Sequence, residues 1–145
     1  MNRTERAVHL FENGLNCSQA ILAVFGEPHG IDLEAAKRLG RPLGGGMGRL
    51  GLVCGAITGA VAALGIAQSG PADEGQARDE VARSVRELLH RFEERHGTTL
   101  CRGLLGADMS TDDGMKKIRE EKLVAKHCPG FVKDAAEILS ELLDT

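Results

Sequence analysis

The sequence predicts an all-α protein, and three observations favour that fold class. Apolar residues recur at intervals of three and four along most of the chain, which is the pattern of a helix with one buried face. Only 3% of the residues are aromatic, and neither Trp nor Tyr occurs, so aliphatic residues and alanine must fill the core, as closely packed helices allow. No segment has the pattern of a β-strand. We therefore expect residues 1–145 to form a compact single-domain helical bundle around a central Gly/Ala-rich buried helix.

Three helices are predicted in the N-terminal part of the chain. The first covers residues 4–13 and is followed by Gly14, a residue suited to a left-handed helix stop. The second begins at Asn16 or Cys17. Asp32 has the side chain of an N-cap for a short third helix, which Pro42 and the following glycines end.

The C-terminal half predicts three more helices and a short connecting turn. Asp73 and Gln76 have the spacing of a capping box ahead of a long helix that Gly97 closes. The turn carries LCRGLL and is followed by the polar helix DDGMKKIREEK. Because proline is favoured at the first helical position, the last helix is expected to begin at Pro129.

The middle of the chain contains no charged residue from 50 to 67. Such a helix is either buried or membrane-bound. Gly51, Gly55, Gly59 and Ala63 recur every four residues and leave one face nearly bare of side chains, so another helix can approach closely. We expect a buried helix starting near Gly51, with no membrane span, and consider a homodimer through the Gly51, Gly55 and Gly59 face.

The run GMGRLG at residues 46–51 is a literal G-x-G-x-x-G. A dinucleotide site needs a strand before that run and a βαβ unit around it, and the sequence predicts neither. If the helix starts near Gly51, then Cys54 lies in its first turn, where the helix dipole and Arg49 stabilise a thiolate. Cys54 is therefore predicted to be the most acidic and most reactive of the four cysteines.

Charge and composition exclude some classes of partner. The net charge is −3, with acidic and basic residues interspersed, so no basic surface for nucleic acid is predicted. The N-terminal segment lacks the apolar core of a signal peptide, which predicts a cytoplasmic protein. Cysteines in a reducing compartment need a reason other than structural disulfides.

The four cysteines share a local context. Each is predicted to open a helix and lies in register with an apolar stripe, so all four are expected to point inward and could converge: Cys17, Cys54, Cys101 and Cys128. Long intervals separate them, and no C-x-x-C pair occurs, so a site would be assembled from four separate segments. The nearest histidines, His96 and His127, are candidates to support a thiolate or a metal.

At these residues the chain resembles a known family. NCSQA around Cys17, GGGMG followed by CGAITG at Cys54, and then single cysteines at 101 and 128 are similar to the redox-active proteins named for a Cys, CGAxxG, Cys, Cys pattern. The resemblance covers nearly the whole chain. It implies a small helical protein with a redox role at the four cysteines, with Gly55, Ala56 and Gly59 as the packing part of the motif.

Three functions remain open. The first is a cytosolic thiol redox protein, a thiol–disulfide oxidoreductase or an electron carrier, in which Cys54 and another motif cysteine form a reversible disulfide. It needs no cofactor, and its redox partner is unknown. The second is a metal-binding module in which the four thiolates hold zinc or an iron–sulfur cluster. The third is a structural helical domain whose cysteines only pack.

Overall fold

Eight α-helices form the described part of the chain, residues 1–68, 70 and 73–144 of a computed structural model. The helices are α1 Arg3–Glu12, α2 Cys17–Phe25, α3 Leu33–Gly40, α4 Gly55–Ala67, α5 Glu74–His96, α6 Cys101–Leu105, α7 Asp112–Glu120 and α8 Leu123–Leu143. Within those residues β-structure is limited to one antiparallel bridge between Val53 and Leu100. The prediction of an all-α fold is confirmed.

Local capping explains where the first three helices begin. Asn2 and Glu5 form a capping box at α1, and Asn16 and Gln19 form another at α2. The side chain of Asp32 accepts a hydrogen bond from an amide in the first turn of α3. Each of these side chains satisfies amides that have no partner within the helix, so the predicted starts of α2 and α3 are correct.

The start and end of α5 follow the sequence only in part. Asp73 is the N-cap, but its side chain accepts from the amide of Gly75 rather than from Gln76, so the predicted capping box does not form. Gly97 closes the helix with a left-handed φ of 80°, as predicted.

The core lies where α4 and α8 meet α2 and α5. Large side chains with almost no exposed surface fill it: Ile21, Phe25, Ile57, Leu64, Leu88, Phe92, Ile138 and Leu139. No helix in the described residues is both long enough and apolar enough to cross a bilayer.

The glycine face of α4 packs against α2 of the same chain. A Cβ added at Gly59 would lie 3.0 Å from both the Cα and the carbonyl oxygen of Ser18, and one at Gly55 would lie 3.1 Å from the Ser18 hydroxyl. The prediction that these glycines face a neighbouring helix at close range is confirmed. Since α2 covers Gly55 and Gly59, this face is not free for a second copy of the chain, and the expected dimer loses the surface on which it was based.

The predicted start of α4 near Gly51 is wrong. The backbone between Gly45 and Gly51 is largely left-handed, with φ of 62° at Met47 and 60° at Arg49 as well as positive φ at four glycines. A right-handed helix cannot include such residues. The helix therefore cannot start near Gly51. It begins at Gly55, and Cys54 is its N-cap rather than a residue of its first turn.

The predicted start of the last helix at Pro129 is also wrong. Helix α8 begins at Leu123, after Lys122 in the left-handed conformation, and Pro129 lies inside it. Leu123 is buried and extends the apolar stripe of α8 toward its N-terminus, which explains why the helix begins at Leu123 and not at Pro129. Cys128 therefore lies within a helix and not at the head of one.

Candidate functional site

The four cysteines line one cavity of about 960 Å³. They reach it from separate parts of the fold: Cys17 from the start of α2, Cys54 from the residue before α4, Cys101 from the start of α6, and Cys128 from the interior of α8. None of them is in a disulfide. The fold thus brings together four thiols that are far apart in the sequence.

Cys17 and Cys128 are neighbours in the cavity. Cys17 is the first residue of α2, where the Asn16–Gln19 capping box fixes the backbone. A hydrogen bond between the two thiols, followed in importance by burial, raises the pKa of Cys17 well above its ordinary value. Cys17 is also the most exposed of the four, because the other three are buried. The cavity therefore gives access to one member of a pair of thiols that lie close enough to interact.

A short backbone pairing positions Cys54 beside Cys101. The amide of Cys54 donates to the carbonyl of Thr99 at 2.9 Å, and the amide of Cys101 donates to the carbonyl of Leu52 at 2.6 Å. These two bonds flank the bridge between Val53 and Leu100. The segments before α4 and α6 are thereby held in a fixed register, and both thiols are brought to the cavity.

A buried hydroxyl joins the Cys17 segment to the Cys54 segment. The Ser18 side chain, with no exposed surface, donates to the carbonyl of Gly55 at 2.5 Å. In addition, a Cβ built on Gly55 would lie 3.3 Å from the Cβ of Cys17. The residue after Cys54 thus lies directly against Cys17, and a larger residue at position 55 would separate the two segments.

The expected acidity of Cys54 is wrong. Amides of Ala56 and Ile57 do lie against its sulfur and favour the thiolate, but desolvation by burial is the larger effect and raises the pKa of Cys54 far above its ordinary value. The pKa of Cys101 rises less, to about 11, through burial first and then through Cys17 and Asp108. Helix-start amides therefore do not compensate for removing the Cys54 thiolate from water.

The histidines lie away from the cavity lining. His96 makes a 2.7 Å contact with Asp134 and packs its ring against Phe92 and Phe131, so its role in the described structure is in the interface between α5 and α8. His127 is exposed. Among the described residues, no three His, Cys, Asp or Glu side chains are arranged to hold one metal ion.

Cationic side chains surround the thiols. Arg41, Arg49, Arg119 and Lys122 all line the cavity, whereas Glu12 is its one acidic lining residue among those described. Sequence reasoning singled out Arg49 alone. The other three come from distant parts of the chain, and no local pattern distinguishes them from ordinary exposed basic residues.

Fold and site together define a class: a helical protein that brings four unpaired thiols to one cavity. The chain belongs to the family whose description reads "Putative redox-active protein (C_GCAxxG_C_C)", and the family model matches residues 15–142. The description writes glycine before cysteine, whereas here Cys54 precedes Gly55, and Ala56 and Gly59 follow with the stated spacing. No curated protein and no solved structure matches the chain.

Proposed function

We propose that the protein is a thiol redox protein in which Cys17 and Cys128 interconvert between a dithiol and a disulfide. The observation that carries the proposal is that all four cysteines line one cavity, in which Cys17 and Cys128 lie close enough to interact. Family membership supports a redox role. Cys17 provides the accessible sulfur, and Cys128 lies within a helix packed across the core.

The reaction is an exchange with a partner disulfide. Because the pKa of Cys17 is raised, its thiol must first lose a proton. The thiolate then attacks one sulfur of that disulfide, the partner's S–S bond breaks, and its other sulfur leaves as a thiolate that takes up a proton. Cys128 then loses its proton and attacks Cys17 in the mixed disulfide, which releases the second partner thiolate. The protein loses two electrons and two protons, and the partner gains them.

Cys54 and Cys101 are the neighbouring thiols of this pair. Cys17 lies near enough to both to contribute to the raised pKa of each. Cys54 is the alternative partner for Cys17. That pairing includes the cysteine that the sequence predicts to be the most reactive. We place this chemistry in the cytoplasm, where unpaired thiols are kept reduced.

Peptide mapping after oxidation tests the pairing. The protein is purified without oxygen, analysed for zinc and iron, treated with one equivalent of diamide, and digested for mass spectrometry. The expected product is a disulfide between the Cys17 and Cys128 peptides in metal-free protein. Cys17→Ser should abolish it, whereas Cys101→Ser, the matched control, should leave it intact.

Three other results would contradict the proposal, the last of them only in the choice of partner. Stoichiometric zinc or iron that blocks diamide oxidation would instead support a thiolate metal centre. Four thiols that stay titratable after diamide treatment would support cysteines that only pack. A disulfide between Cys17 and Cys54 would keep the redox function but replace Cys128 as the partner.

A further inference from the structure

The cavity concentrates positive charge in a chain that is negative overall. The net charge of the chain is −3, yet the described lining holds four basic side chains and one acid. None of the four basic side chains is in an ion pair with a described carboxylate. Basic residues without acidic partners around a concave site attract anions.

Backbone features at the same rim add to this preference. Arg49 and Lys122 have φ of 60° and 54°, a conformation that non-glycine residues adopt at a cost and that recurs at functional sites. Gly45 and Gly46 also line the cavity, and their amides have no acceptor among the described residues. Both the side chains and the backbone therefore offer donors to a negatively charged group.

The interior of the cavity is apolar below this rim. Leu104, Leu105, Ile118 and Val124 line it beside the sulfurs. Its volume of about 960 Å³ is at the upper end of the range for small-molecule sites. An inorganic oxyanion would leave most of that space empty, whereas a flexible molecule with charged ends and an apolar, sulfur-containing centre would fill it.

We infer that the cavity binds a low-molecular-weight disulfide carrying carboxylates, with the carboxylates on the cationic rim and the S–S bond beside Cys17. This inference rests on the proposed function and names its substrate class. Reduction of such a disulfide, RSSR, by the protein dithiol yields two RSH molecules and the Cys17–Cys128 disulfide. Two electrons and two protons pass from the cysteines to the substrate, and no further reactant is required.

Binding and reaction are tested with separate probes. Suberate has the chain length of 3,3′-dithiodipropionate but carries methylenes in place of the two sulfurs, so it reports binding without redox chemistry. Calorimetric titration of the reduced protein at low ionic strength should show saturable binding of suberate, weakened by added salt. The neutral 1,8-octanediol and the dicationic 1,8-diaminooctane should bind at least about tenfold more weakly, since neither can pair with the basic rim.

Variants of the rim locate the binding site. A variant combining Arg41→Gln, Arg49→Asn, Arg119→Gln and Lys122→Asn removes the four charges, and asparagine tolerates the left-handed backbone at positions 49 and 122. Each exposed charge contributes up to about fivefold in affinity, so the combined loss should be about tenfold or more. The matched controls Arg38→Gln and Lys126→Gln remove exposed charges outside the cavity lining and should leave the affinity unchanged. Unchanged circular dichroism of each variant verifies folding.

Failure of the inference and failure of the proposed function give different results. If suberate binds no better than 1,8-octanediol, or if the control variants weaken suberate binding as much as the rim variants do, anion recognition by the cavity is refuted.

Reaction rates are then compared for 3,3′-dithiodipropionate, neutral 2-hydroxyethyl disulfide and cationic cystamine. A rate order of anion, neutral, cation supports the inference, and equal rates overturn it. If none of the three disulfides oxidises the cysteines although diamide does, the small disulfide as occupant is refuted and the redox pair stands. If diamide fails as well, the proposed function is refuted.

Discussion

The hydroxyl of Ser18 donates a 2.5 Å hydrogen bond to the carbonyl oxygen of Gly55, and this bond ties the residue after Cys17 to the residue after Cys54. Ser18 is the one fully buried polar side chain of the described core. The Thr58 hydroxyl also reaches the Gly55 carbonyl, at 3.3 Å. A small polar link between α2 and α4 thus joins the segments that carry two of the four thiols.

Replacing Ser18→Ala should destabilise the protein by about 0.5–1.5 kcal/mol, the net contribution of a typical hydrogen bond. The measurement is the free energy of unfolding from urea titration. Ser84→Ala is the matched control, because Ser84 is half-buried and accepts a hydrogen bond from Gln68. Losing that bond should lower the free energy of unfolding by less than losing the Ser18 bond does. Equal effects of the two substitutions would mean that the Ser18 bond contributes nothing specific to α2–α4 packing.

Two glycines of α4 should respond to the same substitution with opposite signs. A Cβ at Gly59 meets the Ser18 backbone at 3.0 Å, whereas one at Gly65 meets nothing within 4 Å. Gly59→Ala should therefore cost roughly 1–3 kcal/mol through overpacking, and Gly59→Leu at least as much. Gly65→Ala should stabilise by about 0.5–1 kcal/mol through helix propensity. Thermal melts of the variants measure these changes in stability. A Gly59 variant that melts at the same temperature as the parent would contradict the close contact between Gly59 and Ser18.

Position 122 offers a test of the left-handed residue that opens α8. Lys122→Gly relieves a backbone conformation that costs about 1–2 kcal/mol in a non-glycine residue, so this variant should be more stable than the parent. Lys126→Gly, one turn further along α8, should instead lose about 1 kcal/mol because glycine is a poor residue within helices. Urea titration of both variants shows whether their free energies of unfolding change in opposite directions. Destabilisation by Lys122→Gly would show that the lysine side chain, not its backbone, matters at this position.

The sequence predicted what local chemistry determines. The starts of α2 and α3 were predictable because Asn16 and Asp32 cap amides only a few residues away. The close approach of α4 to a neighbour was predictable because Gly55 and Gly59 repeat at the helical period. The family was recognisable from the cysteines and the CGAITG run.

What the sequence did not predict depends on contacts between distant segments. The start of α4 depends on the amide of Cys54 pairing with Thr99, and the low acidity of Cys54 depends on burial by the whole fold. Proline at position 129 indicated a helix start, but the apolar contacts of Leu123 extend α8 past it. The cationic rim could not be predicted, because its four residues become neighbours only in the folded chain.

The stability of the protein should depend on pH through Cys101. Burial, followed by the effects of Cys17 and Asp108, raises the pKa of Cys101 to about 11 in the folded state, whereas an unfolded cysteine titrates near ~8.5. Above that pH the unfolded chain has lost a proton that the folded chain still holds, so rising pH favours unfolding. The contribution of this thiol is therefore fully present below about pH 8.5 and is lost as the pH rises toward the folded pKa.

Urea titrations between neutral pH and the folded pKa should show a falling free energy of unfolding. The Cys101→Ala variant, normalised to its own value at neutral pH, should show a shallower decline, because it lacks the group whose proton is retained on folding. Parallel curves for the two proteins would contradict the raised pKa of Cys101 and would assign the decline to other titrating groups.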